Sequence, residues 1–258
     1  MKVTILGCGG SGGVPLIGGN WGSCNPANPR NRRRRVSVLV ETGGAVILID
    51  TSPDLREQFL AAEVSRLDAV LYTHDHADHC HGIDELRSFI HGGKGPIPAY
   101  GTVETMAALE RRFGYIFAQD QAGAGSLYRP VLQALTFQGP FEAAGVAVSP
   151  FEQDHGFGTT STGFRIGGVA YSTDLVGIPA GSEPVLRGLD LWIVDCLRYE
   201  PHPTHSHFEQ TIEWIRKYKP RRAILTHLNH MVDYDDLRAR CPADVEPGYD
   251  GMVIELAD

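Results

Sequence analysis

The stretch Thr73-His74-Asp75-His76-Ala77-Asp78-His79 restricts this chain more than any other. It follows the run Asp68 to Tyr72, whose Ala69-Val70-Leu71 core predicts a buried strand, and it leads into Cys80 to Arg87, which reads as the start of a helix. Three histidines and two aspartates therefore crowd the turn where a strand ends and a helix begins. A lone histidine is usually a satisfied polar group. Packed imidazoles and carboxylates at the end of an apolar strand are different, because burying them costs free energy unless they are paired or metallated. Neutral imidazoles and carboxylates are ligands that divalent zinc, manganese and iron accept. A turn at the carboxyl end of a strand is also where an α/β protein usually places its chemistry.

Composition narrows the partners. The 258 residues carry a net charge of −8, which argues against a general nucleic-acid binder but leaves a phosphate substrate open, since metals can supply positive charge. Apolar and charged contents of 42% and 21% fit an ordinary globular protein. Five cysteines (Cys8, Cys24, Cys80, Cys196 and Cys241) form no Cys-x-x-Cys pair, the pattern of reduced thiols in the cytoplasm. The apolar run at Val3 to Leu6 is too short for a signal peptide, and none reaches the length of a membrane span.

Taken in order, Lys2 to Leu6 reads as a strand, followed by Gly7-Cys8-Gly9-Gly10-Ser11-Gly12-Gly13. This contains Gly-x-Gly-x-x-Gly, but Val14-Pro15 follows where a dinucleotide-binding fold needs a helix. The glycines are better read as a close-approach loop at the rim of the site, with backbone N–H groups able to meet a phosphate. The basic loop Arg30 to Arg35 holds candidate phosphate-binding arginines, because a guanidinium fork matches phosphate oxygens. Val36 to Glu41 and Ala45 to Asp50 read as a hairpin. Ser52 and Pro53 then open a helix. Thr102 caps a helix through Phe113, and Gly114 to Tyr128, with Gly123 and Gly125, reads as an irregular lid or dimer contact. Strands are expected at Val131 to Phe137, Val146 to Phe151, Phe164 to Ile166, Val169 to Ser172, Leu189 to Val194, Arg222 to Thr226 and Met252 to Leu256. Several end in chemistry-bearing residues: His155, Asp174, Asp195 and His227. A second histidine cluster spans His202, His205 and His207, where Ser206 and Glu209 suggest a capping box on the next helix. With no linker between these two similar rounds, residues 1–258 are expected to form one domain.

Thr-His-x-His-x-Asp-His resembles the signature of the metallo-β-lactamase fold superfamily. The resemblance implies an αββα sandwich, two mixed sheets with helices outside, and a site for two divalent metal ions, zinc or manganese. Carried over residue by residue, it implies that His74, His76 and His155 hold one ion, that Asp78, His79 and His227 hold the other, and that Asp174 bridges them together with a water. The opening Leu6-Gly7-Cys8-Gly9, the Asn28-Pro29-Arg30 turn, Phe113-Gly114-Tyr115-Ile116-Phe117, Ser206-His207-Phe208-Glu209 and Thr226-His227-Leu228-Asn229-His230 are similar to the phosphodiesterase branch, and most to the phosphoribosyl cyclic phosphate phosphodiesterase (PhnP) type. That likeness implies hydrolysis of a small phosphate ester, with His207 protonating the leaving oxygen and Asp78 also in the catalytic set. The chain departs from the type at one place: Gly18 to Cys24 holds one cysteine where relatives often carry a zinc-binding cluster, so no third zinc is expected. The alternatives are a tRNA 3′-processing endonuclease, a thioester or lactone hydrolase, and a non-catalytic sensor. The expected partners are a small substrate and a second copy of the chain, with neither membrane nor nucleic acid. His81, His91, His202, His205 and His230 are expected at the surface or behind the ligands, with His230 and Asp195 the best candidates to back a ligating imidazole.

Overall fold

The computed structural model describes residues 1–90, 95–117 and 130–256. His91 and most of the expected lid, including Gly123 and Gly125, lie outside the described residues. In chain order the strands are β1 (Lys2–Gly7), β2 (Ser37–Thr42), β3 (Ala45–Ile49), β4 (Ala69–Leu71), β5 (Ile97–Gly101), β6 (Leu132–Thr136), β7 (Phe141–Ala143), β8 (Val146–Asp154), β9 (Thr160–Ile166), β10 (Val169–Ser172), β11 (Leu191–Asp195), β12 (Arg222–Thr226), β13 (Val245–Pro247) and β14 (Met252–Glu255). The helices are α1 (Leu55–Ala61), α2 (Ala77–Cys80), α3 (Val103–Phe117), α4 (Phe208–Tyr218) and α5 (Tyr234–Arg240). One mixed sheet runs β14-β1-β2-β3-β4-β5-β6 and the other β13-β12-β11-β10-β9-β8-β7.

Strands buried on both faces explain the continuous apolar runs. Ile47, Ile49, Ala69 and Leu71 point between the sheets toward Phe164, Tyr171, Leu191, Ile193 and Ile224. The alternate residues Leu48, Val70 and Tyr72 point outward onto Leu55, Phe59, Leu86 and Leu109 of the covering helical segments. On the second sheet Trp192, Val194 and Leu225 meet Phe208, Ile212, Ile215 and Leu237. This is the expected αββα sandwich. No helix among the described residues is long and apolar enough to cross a membrane.

Local signals fared unevenly. Thr102 does cap α3, its Oγ1 accepting from the Thr105 amide at 3.1 Å. Asp233 caps α5 in the same way, accepting from Asp235 and Asp236. Ser52 stands three residues ahead of α1, and its Oγ accepts from the Asp54 amide at 3.0 Å in the turn that leads into the helix. The helix starts at Leu55 after Asp54, whose carboxylate is drawn to Arg35 at 2.6 Å. The capping box on α4 is absent as well: His207 takes the cap position, and the Ser206 hydroxyl donates to the Asp195 carbonyl at 2.6 Å. β7 and β13, each three residues long, fall below what alternation can reveal.

Much of the basic loop braces the fold. Arg30 lies over the rings of Tyr234 and Tyr249, 4.8 Å from each centroid. Arg32 lies over Trp21, and Arg35 pairs with Asp54. Arg33 is buried and donates to the carbonyls of Val232 at 2.8 Å and Asn229 at 3.1 Å, two residues that follow the strand carrying His227. The guanidiniums of Arg33 and Arg35 are thus committed to the protein's own oxygens, which weighs against a phosphate at those two of the candidate positions Arg30 to Arg35. Arg33→Met would leave buried carbonyls without donors and is expected to lower stability by about 2–4 kcal/mol. Denaturant midpoints of the metal-loaded protein would show this against Arg56→Met, an exposed site expected to change stability by roughly 0.5 kcal/mol or less; equal midpoints would dismiss the bracing role.

Candidate metal centre

Each predicted ligand arrives from the end of a strand or the turn beyond it. His74 and His76 lie on the turn after β4, and Asp78 and His79 in the one-turn helix α2. His155 follows β8, Asp174 lies just past β10, and His227 follows β12. The chain leaves three of these strands through left-handed residues that are not glycine: Asp50 after β3 (φ 64°), Asp174 (φ 58°) and His227 (φ 59°). This conformation is disfavoured for such residues and clusters at functional sites.

Among the described residues Asp174, His205 and His227 bring ligand atoms within 4.8 Å of one another, a set that overlaps two separate groups. His74, His76, His155 and Asp174 form one of these groups, and Asp78, His79 and His227 the other, with the ligand atoms of each again within 4.8 Å of one another. Asp174 faces both. Its Oδ1 lies 3.9 Å from His74 Nε2 and 3.8 Å from His155 Nε2, while its Oδ2 lies 3.1 Å from His79 Nε2 and 3.4 Å from His227 Nε2. Asp78 Oδ2 is 3.4 Å from His79 Nε2 and 3.5 Å from His227 Nε2.

The outer nitrogens of His79 and His155 are tied down, whereas His227 Nδ1 is buried without a hydrogen bond. Asp50, fully buried, accepts from the Thr73 amide and hydroxyl and meets His79 Nδ1, each at 2.8 Å. His155 Nδ1 donates to the Thr204 carbonyl at 2.8 Å. These bonds turn the Nε2 atoms inward, the usual arrangement behind a metal-bound histidine. The inner atoms have no such partners. His74 Nε2, His79 Nε2 and His227 Nε2 are buried without a hydrogen bond. His155 Nε2 instead meets His76 Nδ1 at 3.4 Å. Buried nitrogens left unpaired beside carboxylates are placed as ligands of a common third atom would be. Divalent cations fit both groups, and the all nitrogen-and-oxygen donor set suits zinc or manganese.

Electrostatics agree. Burial opposes charge on His79, yet the carboxylates of Asp174, Asp78 and Asp50 raise its pKa well above the usual range. His227 is likewise pushed up to about 9, against burial, mainly by Asp174 and Asp78. Burial lowers His74, helped by its neighbour His79, and it lowers His155 too.

All seven expected ligands therefore converge. His207 does not join either group; as the cap of α4 its backbone carbonyl serves Thr211. The imidazole that enters is His205, expected at the surface or behind the ligands. Its ring stacks on His227 with centroids 4.7 Å apart, and its Nδ1 lies 3.1 Å from Asp195 Oδ2 and 3.7 Å from Asp174 Oδ1. Spacing alone could not separate two histidines two residues apart; where the helix starts decides it. Asp195 backs His205, while its Oδ1 lies 4.0 Å from Nδ1 of the expected ligand His227, beyond hydrogen-bond reach. His230 instead packs against the 20–24 loop, its carbonyl accepting from Ser23 at 3.0 Å. In the glycine loop Gly9 and Gly10 allow close approach, a Cβ on Gly9 falling 2.9 Å from the Arg34 carbonyl. Their amides serve Arg34 and Leu228 and so are not free for a phosphate. Ser11, on the same loop, lines a cavity of about 280 Å³ with His76, Asp78, His155, Asp174 and His205.

The β-lactamase superfamily domain matches residues 46–228. A diphosphatase of the PhnP family is 35% identical with a TM-score of 0.88, over 99% of this chain and 98% of that one. Zinc-bound PqqB from Methylobacterium extorquens shares the fold at a TM-score of 0.75 and 21% identity, over 99% and 100% of the two chains. An octanoyltransferase from Porphyromonas gingivalis is 32% identical over 255 residues, 98% of this chain; the chain spans about half of that relative, 51% of its length.

Two outcomes follow from this geometry. Asp174→Ala is expected to lose metal from both groups, read by elemental analysis; two ions retained would contradict a bridging carboxylate. Because a ligand must shed its proton to bind metal, and the pKa of His227 is raised to about 9, apparent metal affinity should climb as pH rises toward 9 and weaken below it. Metal titrations across pH would check this, and a flat profile would contradict it.

Proposed function

Because this chain belongs to the metallo-β-lactamase superfamily of hydrolases, we propose that it is a phosphodiesterase that hydrolyses a small phosphate ester with two divalent ions, zinc or manganese. The observation that carries the reading is the Asp174 carboxylate, which divides its two oxygens between two complete ligand groups. Likeness along the whole chain to a diphosphatase of the PhnP family supports the phosphate substrate. Bound ions supply a water acidic enough to attack at neutral pH and positive charge opposite the phosphate oxygens. The protein contributes fixed spacing, with ligands on strand ends and Asp50, Thr204 and Asp195 behind them. His205 supplies the proton. With Nδ1 anchored on Asp195, its Nε2 is the atom left to protonate the departing oxygen, which matters most when that oxygen would otherwise leave as an alkoxide. The five cysteines are all unpaired, which suits a reducing compartment such as the cytoplasm.

One observation favours a second reading, cleavage of a thioester or carboxylic ester on the same centre: the long relative is named for acyl transfer. That protein is about twice this length, so the name does not say which half does the chemistry. Turnover of matched carboxylic and phosphate esters separates the two.

His205→Ala is expected to keep its metals and to lose roughly 10²–10⁴-fold in turnover of diesters with alkyl leaving groups. The loss should be much smaller for bis(p-nitrophenyl) phosphate, whose leaving group needs no proton. His207→Ala should match the parent protein; the reverse pattern would return the acid role to His207.

A further inference from the structure

The tip of the β8–β9 hairpin presents an aromatic ring that the fold does not use. Phe157 is 83% exposed. Its backbone is left-handed (φ 51°), as is that of Gly158 (φ 75°), and the Thr159 amide closes the turn on the Gly156 carbonyl at 2.9 Å. Two successive positive φ values are the pattern of a type I′ turn, whose first central position favours Asn, Asp or Gly. A phenylalanine there is strained, and burial does not repay it. The turn is nonetheless held firmly. Asp154 Oδ1 accepts from the Gly156 amide at 2.8 Å, and the Thr159 hydroxyl donates to the Gly156 carbonyl at 2.7 Å. Gly156 also lies so close to Pro203 that a Cβ would fall 2.2 Å from its carbonyl oxygen. Phe157 borders the cavity lined by His76, Asp78, His155, Asp174 and His205.

We propose that Phe157 is a specificity-determining residue that stacks on a nucleobase while the substrate's phosphate occupies the metal centre. This rests on the phosphodiesterase reading and deepens it to nucleoside-bearing esters. A bare phenyl face offers no hydrogen bond, so what it recognises is a flat, polarisable surface; every nucleobase has one, and an aliphatic sugar phosphate has none. The ring stands at the mouth rather than among the ligands, which suits a group joined to the reacting phosphorus through a sugar.

The test compares thymidine 5′-(p-nitrophenyl phosphate) with ethyl p-nitrophenyl phosphate. They share a leaving group, so their difference isolates the nucleoside. Phe157→Asn removes the ring while keeping a residue that the turn accepts. In the metal-loaded enzyme it should raise KM for the thymidine ester about tenfold (about 1.4 kcal/mol), leave kcat within about twofold, and change neither constant for the ethyl ester. Its Tm should be unchanged or higher, because left-handed strain is relieved. As a direct readout, Phe157→Trp should show fluorescence quenching by thymidine 5′-monophosphate beyond that of the parent protein. Equal effects on the two esters, no effect on either, or a lowered Tm with the KM change would overturn the proposal. If the parent protein hydrolyses neither ester, the phosphodiesterase reading fails, and quenching of the Trp variant then decides for or against Phe157 by itself.

Discussion

Mutual crowding of unpaired polar atoms is the constraint on which the rest of this structure depends. Asp174 is buried against five imidazoles, those of His74, His79, His155, His205 and His227, at 3.1 to 3.9 Å, and Nε2 of His74, His79 and His227 is buried without a good hydrogen bond. An interior tolerates this where positive charge balances the carboxylates, on the raised imidazoles of His79 and His227 or on cations held between the ligand groups. Around that demand the fold supplies rigidity. Two apolar sheets lock the strands, and left-handed residues at Asp50, Asp174 and His227 turn the chain at the strand ends, two of them being candidate ligands and the third a brace. Backbone strain at these points is over-determined by the packing beneath, the usual condition for its persistence.

Much of the centre was legible because its ligands are both chemically unusual and locally clustered. Thr73 to His79 advertises itself, and once that motif is recognised single residues such as His155, Asp174 and His227 become expected at later strand ends. The helix cap was where reading failed. Ser206-His207-Phe208-Glu209 has the look of a capping box, but the Ser206 hydroxyl is taken by the Asp195 carbonyl, the helix begins one residue later, and the His205 ring lies against His227 and Asp174. Local propensity yielded to a tertiary hydrogen bond between segments eleven residues apart. The left-handed residues carried no signal at all, since Asp and His at φ near 60° cannot be told from the same residues in a strand.

The basic loop shows the same lesson from the other side. A run of arginines in a protein of net charge −8 invites a ligand, and charge alone cannot say whether that ligand is a phosphate or the protein's own carbonyls. Here Arg33 reaches past the glycine loop to the segment after β12, and Arg30 and Arg32 spread over aromatic rings. Positive charge serves here as scaffolding beside the rim that carries Ser11. The single Cys24 fits this scheme: its thiol donates to the Val232 carbonyl at 3.2 Å, the oxygen that Arg33 also engages.

The pairing of β1 with β14 has a consequence for how this protein can be joined to others. Lys2 stands opposite Glu255, the Met1 amine donates to the Leu256 carbonyl at 3.0 Å, and the Leu256 amide donates back to Met1 at 2.9 Å. β1 runs in the same direction as β3, because each is antiparallel to β2, so it travels toward the ion cage and starts from the opposite side of the sandwich. Both described ends therefore leave together from the side remote from the entrance. A tether, a solid support or a second catalytic unit attached there would leave the mouth unobstructed, and splicing the two ends to each other while opening the chain elsewhere would need only a short bridge.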